Sequence, residues 1–149
     1  MSKSPSEQAV SYLARREHSA LELSRKLAKA GFDEAEIEQS LAELQQAGLQ
    51  SDERFAESFV NSRINRGYGS IRIRMELQER GVASDIITDS LQQAGTDWFA
   101  LATEVRRKRF GEHSPQDFKS RAKQQRFLQY RGFTHDEITE SFNVTDDEK

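Results

Sequence analysis

One short pattern occurs three times along the 149-residue chain and limits the folds available to it. In each copy a leucine is followed four residues later by a glycine and then directly by an apolar residue, and an isoleucine lies six residues after the glycine. The copies are Leu27-Gly31-Phe32-Ile37, Leu77-Gly81-Val82-Ile87 and Leu128-Gly132-Phe133-Ile138. The glycines are 50 and then 51 residues apart. A fixed period of this length predicts stacked helical units that share a core and form a binding surface rather than a pocket.

Helix signals recur along the whole chain, and the alternation typical of strands is nearly absent. An N-cap residue followed three residues later by glutamate occurs in the pairs Ser19–Glu22, Asp33–Glu36 and Thr134–Glu137. Ser114 before Pro115 predicts a further helix start, with Ser114 as the N-cap residue. We predict helices over residues 5–17, 19–30, 33–47, 52–66, 70–80, 84–94, 97–110, 115–131 and 134–144.

These signals predict an all-α fold, in which the chain is an elongated array of three tandem three-helix repeats. The repeats are expected at about residues 5–48, 52–95 and 97–144, within a single domain spanning residues 1–149. Residues 145–149 form an acidic tail. Apolar residues at three- and four-residue spacings give each helix one apolar stripe, and a helix pair of this size buries its stripe only against neighbouring units.

Several functional classes receive no support from the sequence. There is no cysteine, which excludes disulfides and thiolate zinc sites. His18 lies beside Glu17, but no nucleophile, metal cluster or second base accompanies it, so we interpret it as a helix-junction residue. No phosphate-binding loop, dinucleotide fingerprint or HExxH motif occurs, and no apolar run approaches the ~20 residues of a membrane span. We expect a cytoplasmic protein that is not an enzyme and needs no cofactor or metal.

The net charge of −3 conceals a strong asymmetry along the chain. Residues 7–49 carry five basic and eight acidic residues, and residues 132–149 are also acidic. By contrast, residues 54–81 carry six basic residues against three acidic ones, and residues 98–131 carry nine against three. Such local excess of positive charge attracts a phosphate backbone or an acidic protein face.

The first basic cluster surrounds Gly67-Tyr68-Gly69 and consists of Arg63, Arg66, Arg72 and Arg74. Arginine suits a binding role because its planar fork binds carboxylate or phosphate in a bidentate way. Two interpretations stay open. The glycines form a junction that presents arginines to a polyanion or an acidic protein, or they only relieve a tight turn while Arg72 pairs with Glu76 on an exposed helix face.

The second basic cluster consists of Arg106, Arg107, Lys108, Arg109, Lys119, Arg121, Lys123, Arg126 and Arg131, and all of these except Arg131 are predicted docking residues. Cations near a helix C-terminus are favoured by the helix dipole, which provides a purely structural explanation for some of them. Their number exceeds what that effect needs, and an anionic partner would offset their mutual repulsion. The interleaved aromatic residues have the helical spacing of a core rather than of base-stacking platforms.

Three segments in order along the chain resemble the RecX family, whose members regulate the bacterial RecA recombinase. They are Leu13-Ala14-Arg15-Arg16-Glu17-His18-Ser19 with Glu22-Leu23 and Lys26-Leu27; Asp52-Glu53-Arg54-Phe55-Ala56 with Gly67-Tyr68-Gly69 and Glu76-Leu77; and Arg126-Phe127-Leu128 with Arg131-Gly132-Phe133. The resemblance covers about residues 7–143. It implies a curved, all-helical protein, here a single RecX-like domain of tandem three-helix repeats.

The resemblance also implies a function in homologous recombination, DNA repair and the SOS response. The protein would bind the RecA–single-stranded DNA filament and inhibit the ATPase, strand-exchange and coprotease activities of the recombinase. We expect a monomer whose two basic clusters dock electrostatically on the filament; the choice of those residues rests on charge clustering alone. Two alternatives stay open: a helical module that binds nucleic acid without sequence preference, and an adaptor for another acidic protein.

Overall fold

A computed structural model of the chain describes residues 2–143, and every structural statement below concerns those residues. They form nine α-helices and no strand. The helices are α1 (Pro5–Leu13), α2 (Ala20–Lys29), α3 (Glu34–Gln46), α4 (Asp52–Asn65), α5 (Ser70–Glu79), α6 (Ser84–Gln93), α7 (Trp98–Phe110), α8 (Phe118–Tyr130) and α9 (His135–Ser141). The all-α prediction is therefore confirmed, whereas the predicted acidic tail lies outside the described residues.

The threefold sequence pattern is a helix C-cap that is built in the same way each time. At the end of α2 the Gly31 N–H donates to the Ala28 carbonyl at 3.0 Å, and the Phe32 N–H donates to the Leu27 carbonyl at 3.2 Å. This pair of bonds is a Schellman motif, which needs a left-handed residue at the glycine position. The glycines ending α2, α5 and α8 have φ of +103°, +78° and +97°. The same two bonds close α5 and α8.

The pattern also anchors the core, because the leucine that accepts the second capping bond is fully buried in all three copies. The isoleucine six residues after the glycine is buried as well, with at most 6% of its surface exposed. Each motif therefore ends one helix, reverses the chain and places one apolar side chain from each helix of the pair in the interior. A glycine at this position avoids the steric cost that a side chain pays in the left-handed region.

The N-termini agree with the predicted capping boxes, with one exception. Reciprocal hydrogen bonds between cap and glutamate are formed at α2, α3 and α9, and also at α1 through Ser4 and Glu7. The predicted start of α8 at Ser114 and Pro115 is wrong, since α8 begins at Phe118 and its N-cap residue is Asp117. The Ser114 hydroxyl instead donates to the Phe142 carbonyl at 2.9 Å, a tertiary contact that holds this serine away from the helix start.

The described chain divides into two compact units, and the division passes through α4, α5 and α6. The first unit comprises Met1–Phe59 with Leu77–Ser90, and the second comprises Val60–Glu76 with Leu91–Lys149. The expected repeat boundaries and the expected elongated, curved shape stay predictions.

In the first unit, α1, α2 and α3 pack around a core of Ala9, Leu23, Leu27, Ile37 and Leu44. The turn between α1 and α2 is fixed to the start of α4 by polar contacts. The Gln50 side-chain amide donates to the His18 carbonyl at 3.1 Å, and an Asp52 carboxylate oxygen accepts the Ala20 N–H at 2.9 Å. An ion pair of 3.1 Å joins Arg54 to Glu17. Residues of the first two family-like segments thus form one structural junction.

His18 is part of this junction, as predicted, and is 1% exposed. Its Nδ1 lies 3.0 Å from the Arg16 carbonyl oxygen and its Nε2 lies 3.0 Å from the Lys26 ammonium nitrogen. Since an ammonium group only donates and a carbonyl only accepts, the ring is neutral with its proton on Nδ1. Burial lowers the pKa of His18, which keeps the ring in that neutral form.

In the second unit, α7, α8 and α9 pack around Ala102, Leu128, Phe133, Ile138 and Phe142. The turn that contains Gly69 lies directly against the C-cap of α8. The Gly69 N–H donates to the Arg131 carbonyl at 2.8 Å, and the Ile71 N–H donates to the Gly132 carbonyl at 3.0 Å. A side chain at Gly69 would overlap the backbone of Gly132, so two backbones approach here as closely as glycine allows.

Candidate functional site

The twelve predicted binding residues differ widely in exposure. The exposed ones are Arg66, Lys108, Arg109, Lys119, Lys123 and Arg126. The half-buried ones are Arg63, Arg72, Arg74, Arg107 and Arg121, whereas Arg106 is buried. A binding role for the set as a whole stays a prediction, but these differences separate the residues that present their charge to a partner from those that hold the fold.

Two arginines of the first cluster are engaged within the protein. The Arg63 Nε lies 2.9 Å from one carboxylate oxygen of Glu76, and the Arg72 Nε lies 3.5 Å from the other. Arg72 also donates to the Tyr130 carbonyl at 3.3 Å, and its guanidinium lies over the rings of Tyr68 and Tyr130 at 4.4 and 5.0 Å. The Arg72–Glu76 pair of the second interpretation is therefore formed, but both of its side chains are half-buried rather than on an exposed helix face. Both arginines help to hold the Gly67-Tyr68-Gly69 turn.

Arg106 requires a correction, because its side chain is 0% exposed and faces the interior of the second unit. Its Nε donates to the Ser141 carbonyl at 3.1 Å, and its guanidinium lies 5.3 Å from the centre of the Phe142 ring. Burial, followed by the nearby charge of Arg107, lowers the pKa of Arg106. A surface docking role does not fit this placement. Of four consecutive cations on one helix, at least one must face the neighbouring helices, and here that residue is Arg106.

A cavity of about 460 Å³ brings the two predicted clusters together in the second unit. Arg66 comes from the end of α4, whereas Lys108 and Arg109 come from the last turn of α7. Arg131, at the C-cap of α8, adds a fourth cation. The remaining wall consists of Ile64, Asn65, Gly67, Leu101, Glu104, Val105 and Phe127. The cavity therefore has four cationic groups and one carboxylate.

Two of the guanidinium groups are held in place by aromatic rings. Those of Arg109 and Arg131 lie 5.3 and 5.1 Å from the centre of the Phe127 ring, and that of Arg131 also lies 4.7 Å from Tyr68. Arg131 donates to the Arg66 carbonyl at 2.7 Å. Stacking on a ring leaves the in-plane N–H groups of a guanidinium directed outward, which suits them for binding an anion. Within residues 2–143, no ion pair neutralises any of the four cations.

Arg131 belongs to the second basic cluster of the sequence but is not among the residues predicted to dock. It immediately precedes Gly132, where the end of α8 reaches the Gly67-Tyr68-Gly69 turn. That the turn comes from a distant segment could not be read from the sequence.

The aromatic residues of the last repeat follow the core prediction only in part. Phe127 packs against the core and contacts Phe110 edge to face, with ring centres 5.3 Å apart. Phe118 and Tyr130, however, are 87% and 74% exposed. Helical spacing placed them on a stripe, but α8 begins later than predicted, and Phe118 is its first residue.

Residues 2–143 contain no group of three or more histidine, aspartate or glutamate side chains arranged to hold a metal ion. None of the helices in that range combines the length and the apolarity needed to cross a lipid bilayer.

Comparisons with known proteins agree with the arrangement of three helical repeats. Family models described as the first, second and third three-helix domains of RecX match residues 7–44, 51–91 and 96–140. The chain is 44% identical to "Regulatory protein RecX" of Halorhodospira halophila, over 94% of this chain and 87% of that protein. It is 46% identical to the protein of that name from Pseudomonas entomophila, over 87% and 84% of the two chains.

Solved structures show the same fold. The crystal structure of RecX from Lactobacillus salivarius superposes with a TM-score of 0.78 and 22% identity, covering 95% of this chain and 94% of that one. A second crystal structure, of a regulatory protein RecX, superposes with a TM-score of 0.76 and 25% identity, covering 94% and 72% of the two chains.

Proposed function

Because the chain belongs to the RecX family of regulatory proteins, we propose that it regulates the RecA recombinase by binding the RecA–single-stranded DNA filament. Bound there, it would inhibit the ATPase, strand-exchange and coprotease activities of the recombinase. The relatives are named as regulatory proteins, which agrees with a binding function rather than catalysis. We further propose that the protein acts as a monomer in the cytoplasm.

The observation that carries the proposal is the basic cavity of the second unit. Four cations from α4, α7 and α8 line one site, and no carboxylate among residues 2–143 pairs with them. Uncompensated charges repel one another, so a polyanion that occupies the site relieves that repulsion. Binding through phosphate groups requires no particular base sequence, as expected for a regulator that must act wherever a filament forms.

Selectivity for the filament over free recombinase would come from simultaneous contacts. A chain of three repeats that touches two successive recombinase subunits and the strand between them gains from effective concentration, since the second contact becomes intramolecular. A free subunit offers only one of these contacts and would be bound more weakly.

The test is a titration of the single-stranded-DNA-dependent ATPase of the RecA recombinase with this protein. Binding to the bare strand is measured in the same buffer. We expect inhibition at concentrations well below those that cover bare DNA. Inhibition only where bare DNA is already covered would favour the alternative, a helical module that binds nucleic acid without needing a recombinase. If the protein inhibits the ATPase at no concentration, an adaptor for a different acidic protein would be favoured.

A further inference from the structure

The lining of the basic cavity combines two kinds of side chain. Besides the four cations, it includes the half-buried aliphatic side chains of Ile64, Leu101 and Val105. We propose that the cavity receives a single nucleotide of the single strand, with its phosphate on the cations and its base against the aliphatic side chains. This inference rests on the proposed function and specifies the group that enters this site.

Two of the four cations, Arg109 and Arg131, are held in place before a phosphate binds. Arg109 and Arg131 share the Phe127 ring, and Arg131 is fixed further by its bond to the Arg66 carbonyl. Long side chains normally lose rotamer freedom when they bind, which weakens the complex. Here that freedom is already restricted before the ligand arrives. A guanidinium held in one plane offers two parallel N–H groups to two phosphate oxygens.

The aliphatic side chains account for a base rather than a bare phosphate. A simple phosphate site needs no apolar wall, whereas this cavity of about 460 Å³ falls within the roughly 300–1,000 Å³ of sites that enclose a small organic group. The Phe127 ring already carries two guanidinium groups, so the base is expected to contact Leu101 and Val105. Contact with aliphatic carbon distinguishes poorly between bases, and sequence preference is accordingly expected to be weak.

A single strand fits this site better than a duplex or an acidic peptide. A base in a duplex is stacked and paired, so a duplex does not offer it to the cavity. An aspartate or glutamate side chain would contact the cations but leave the aliphatic side chains of the cavity in contact with water.

Gly67 keeps the cavity open. It has φ of +82°, and a Cβ atom built on it would lie 2.9 Å from a methyl group of Val105 and 3.5 Å from Nη1 of Arg131. A side chain there would push against Val105 and one of the stacked cations. The Gly67-Tyr68-Gly69 segment therefore serves the site as well as the turn, and the two interpretations of its glycines are compatible.

The experiment measures fluorescence anisotropy of a labelled oligodeoxythymidine and of an abasic strand of equal length, each titrated with the full chain. Three proteins are compared: the natural sequence, the cavity variant Arg66→Gln/Lys108→Gln and the control variant Arg25→Gln/Lys29→Gln. Both variants lose one arginine and one lysine from exposed positions, but only the first pair lines the cavity. Far-UV circular dichroism verifies that both variants fold.

We expect the cavity variant to bind oligodeoxythymidine roughly tenfold more weakly, since each partly screened ion pair contributes a few-fold in affinity. The slope of log K against log salt should become smaller by ~0.7, which corresponds to the loss of one phosphate contact on a single strand. The control variant should change less. The natural protein should bind the abasic strand several-fold more weakly than oligodeoxythymidine, and the cavity variant should show a smaller difference between the two strands.

Equal affinity of the natural protein for the abasic strand and for oligodeoxythymidine would overturn the inference, as would equal losses in the two variants. The recombinase ATPase assay, run with the same proteins, separates this inference from the proposed function. If the cavity variant loses inhibition but keeps strand binding, the cavity takes a protein group and only the inference fails. If it loses strand binding while the natural protein never inhibits, the proposed function fails and the nucleotide site stands.

Discussion

Replacing Gly69 with alanine tests whether the close approach of two turns holds the second unit together. Gly69 does not have a positive φ, so alanine meets no backbone strain of its own there. The added methyl group would instead overlap the Gly132 carbonyl and approach the Phe133 nitrogen to 2.7 Å. These are backbone atoms, which cannot rotate away as a side chain does. The two turns must therefore separate.

The cost can be worked out from the contacts that this separation breaks. The two hydrogen bonds between the turns, from the Gly69 N–H and the Ile71 N–H, contribute about 1 kcal/mol each. Leaving a buried donor or acceptor unsatisfied adds about 1–3 kcal/mol. We therefore expect Gly69→Ala to lower the free energy of unfolding by about 3–5 kcal/mol, which is a large part of the 5–15 kcal/mol of an ordinary domain.

Gly95→Ala is the matched control, because Gly95 has φ of +61° and a Cβ atom there would meet nothing within 4 Å. It measures the strain of a left-handed alanine alone, about 1–2 kcal/mol. Urea unfolding followed by circular dichroism ranks the two variants. Conformational preference alone would make Gly95→Ala the more damaging change, whereas backbone contact makes Gly69→Ala the more damaging. If Gly69→Ala unfolds at the same urea concentration as the natural protein, the close approach is not a source of stability.

Substitutions at three further positions test other parts of the structure. Because the pKa of His18 is lowered in the folded protein, the unfolded state takes up a proton on this ring at a higher pH, and the free energy of unfolding should fall as the pH drops below about 6.5, the ordinary histidine value. His18→Gln should reduce this pH dependence, measured by urea unfolding at a series of pH values. Arg106→Met should change the free energy of unfolding by about 1 kcal/mol or less, because the lost hydrogen bond to Ser141 is offset by removal of a buried charge, whereas Arg106→Glu should lower it by more than about 3 kcal/mol. Equal urea-unfolding midpoints for the two variants would show that water reaches the side chain at position 106. Ala83 is the N-cap residue of α6, as Thr134 is of α9, so Ala83→Asp should raise the free energy of unfolding by about 1 kcal/mol and the thermal midpoint by ~2–4 °C. An unchanged thermal midpoint in calorimetry would contradict this.

Charge reversal at Arg106 and Arg107 together would not test whether the second basic cluster docks on a partner. Reversal at a fully buried arginine would destabilise the second unit, so a loss of function would not identify a docking surface. Lys108 and Arg109, which are exposed and line the cavity, are the appropriate positions on the same helix.

The sequence by itself determined the features whose causes are local. The Leu–Gly pattern predicts helix ends because a Schellman cap involves only six consecutive residues, and all three copies form it. The capping boxes are equally short in range, and those at Ser19, Asp33 and Thr134 are formed. The failure at Ser114 shows the limit of such signals, because a hydroxyl that can cap a helix can also donate to a distant carbonyl. Local residues do not reveal which partner prevails.

Which charged residues lie together depends on the tertiary structure. Arg66 and Arg131 lie 65 positions apart in the sequence, yet the Arg131 guanidinium bonds to the Arg66 carbonyl at the edge of one cavity. Among four consecutive cations, neighbouring helices enclosed Arg106 and left Lys108 and Arg109 at the surface. Charge clustering along the sequence reports how much positive charge a segment carries. The direction in which each charged side chain points depends on the rotation of its helix and on the packing of remote segments. Both are set by burial of the apolar stripes rather than by the charges themselves.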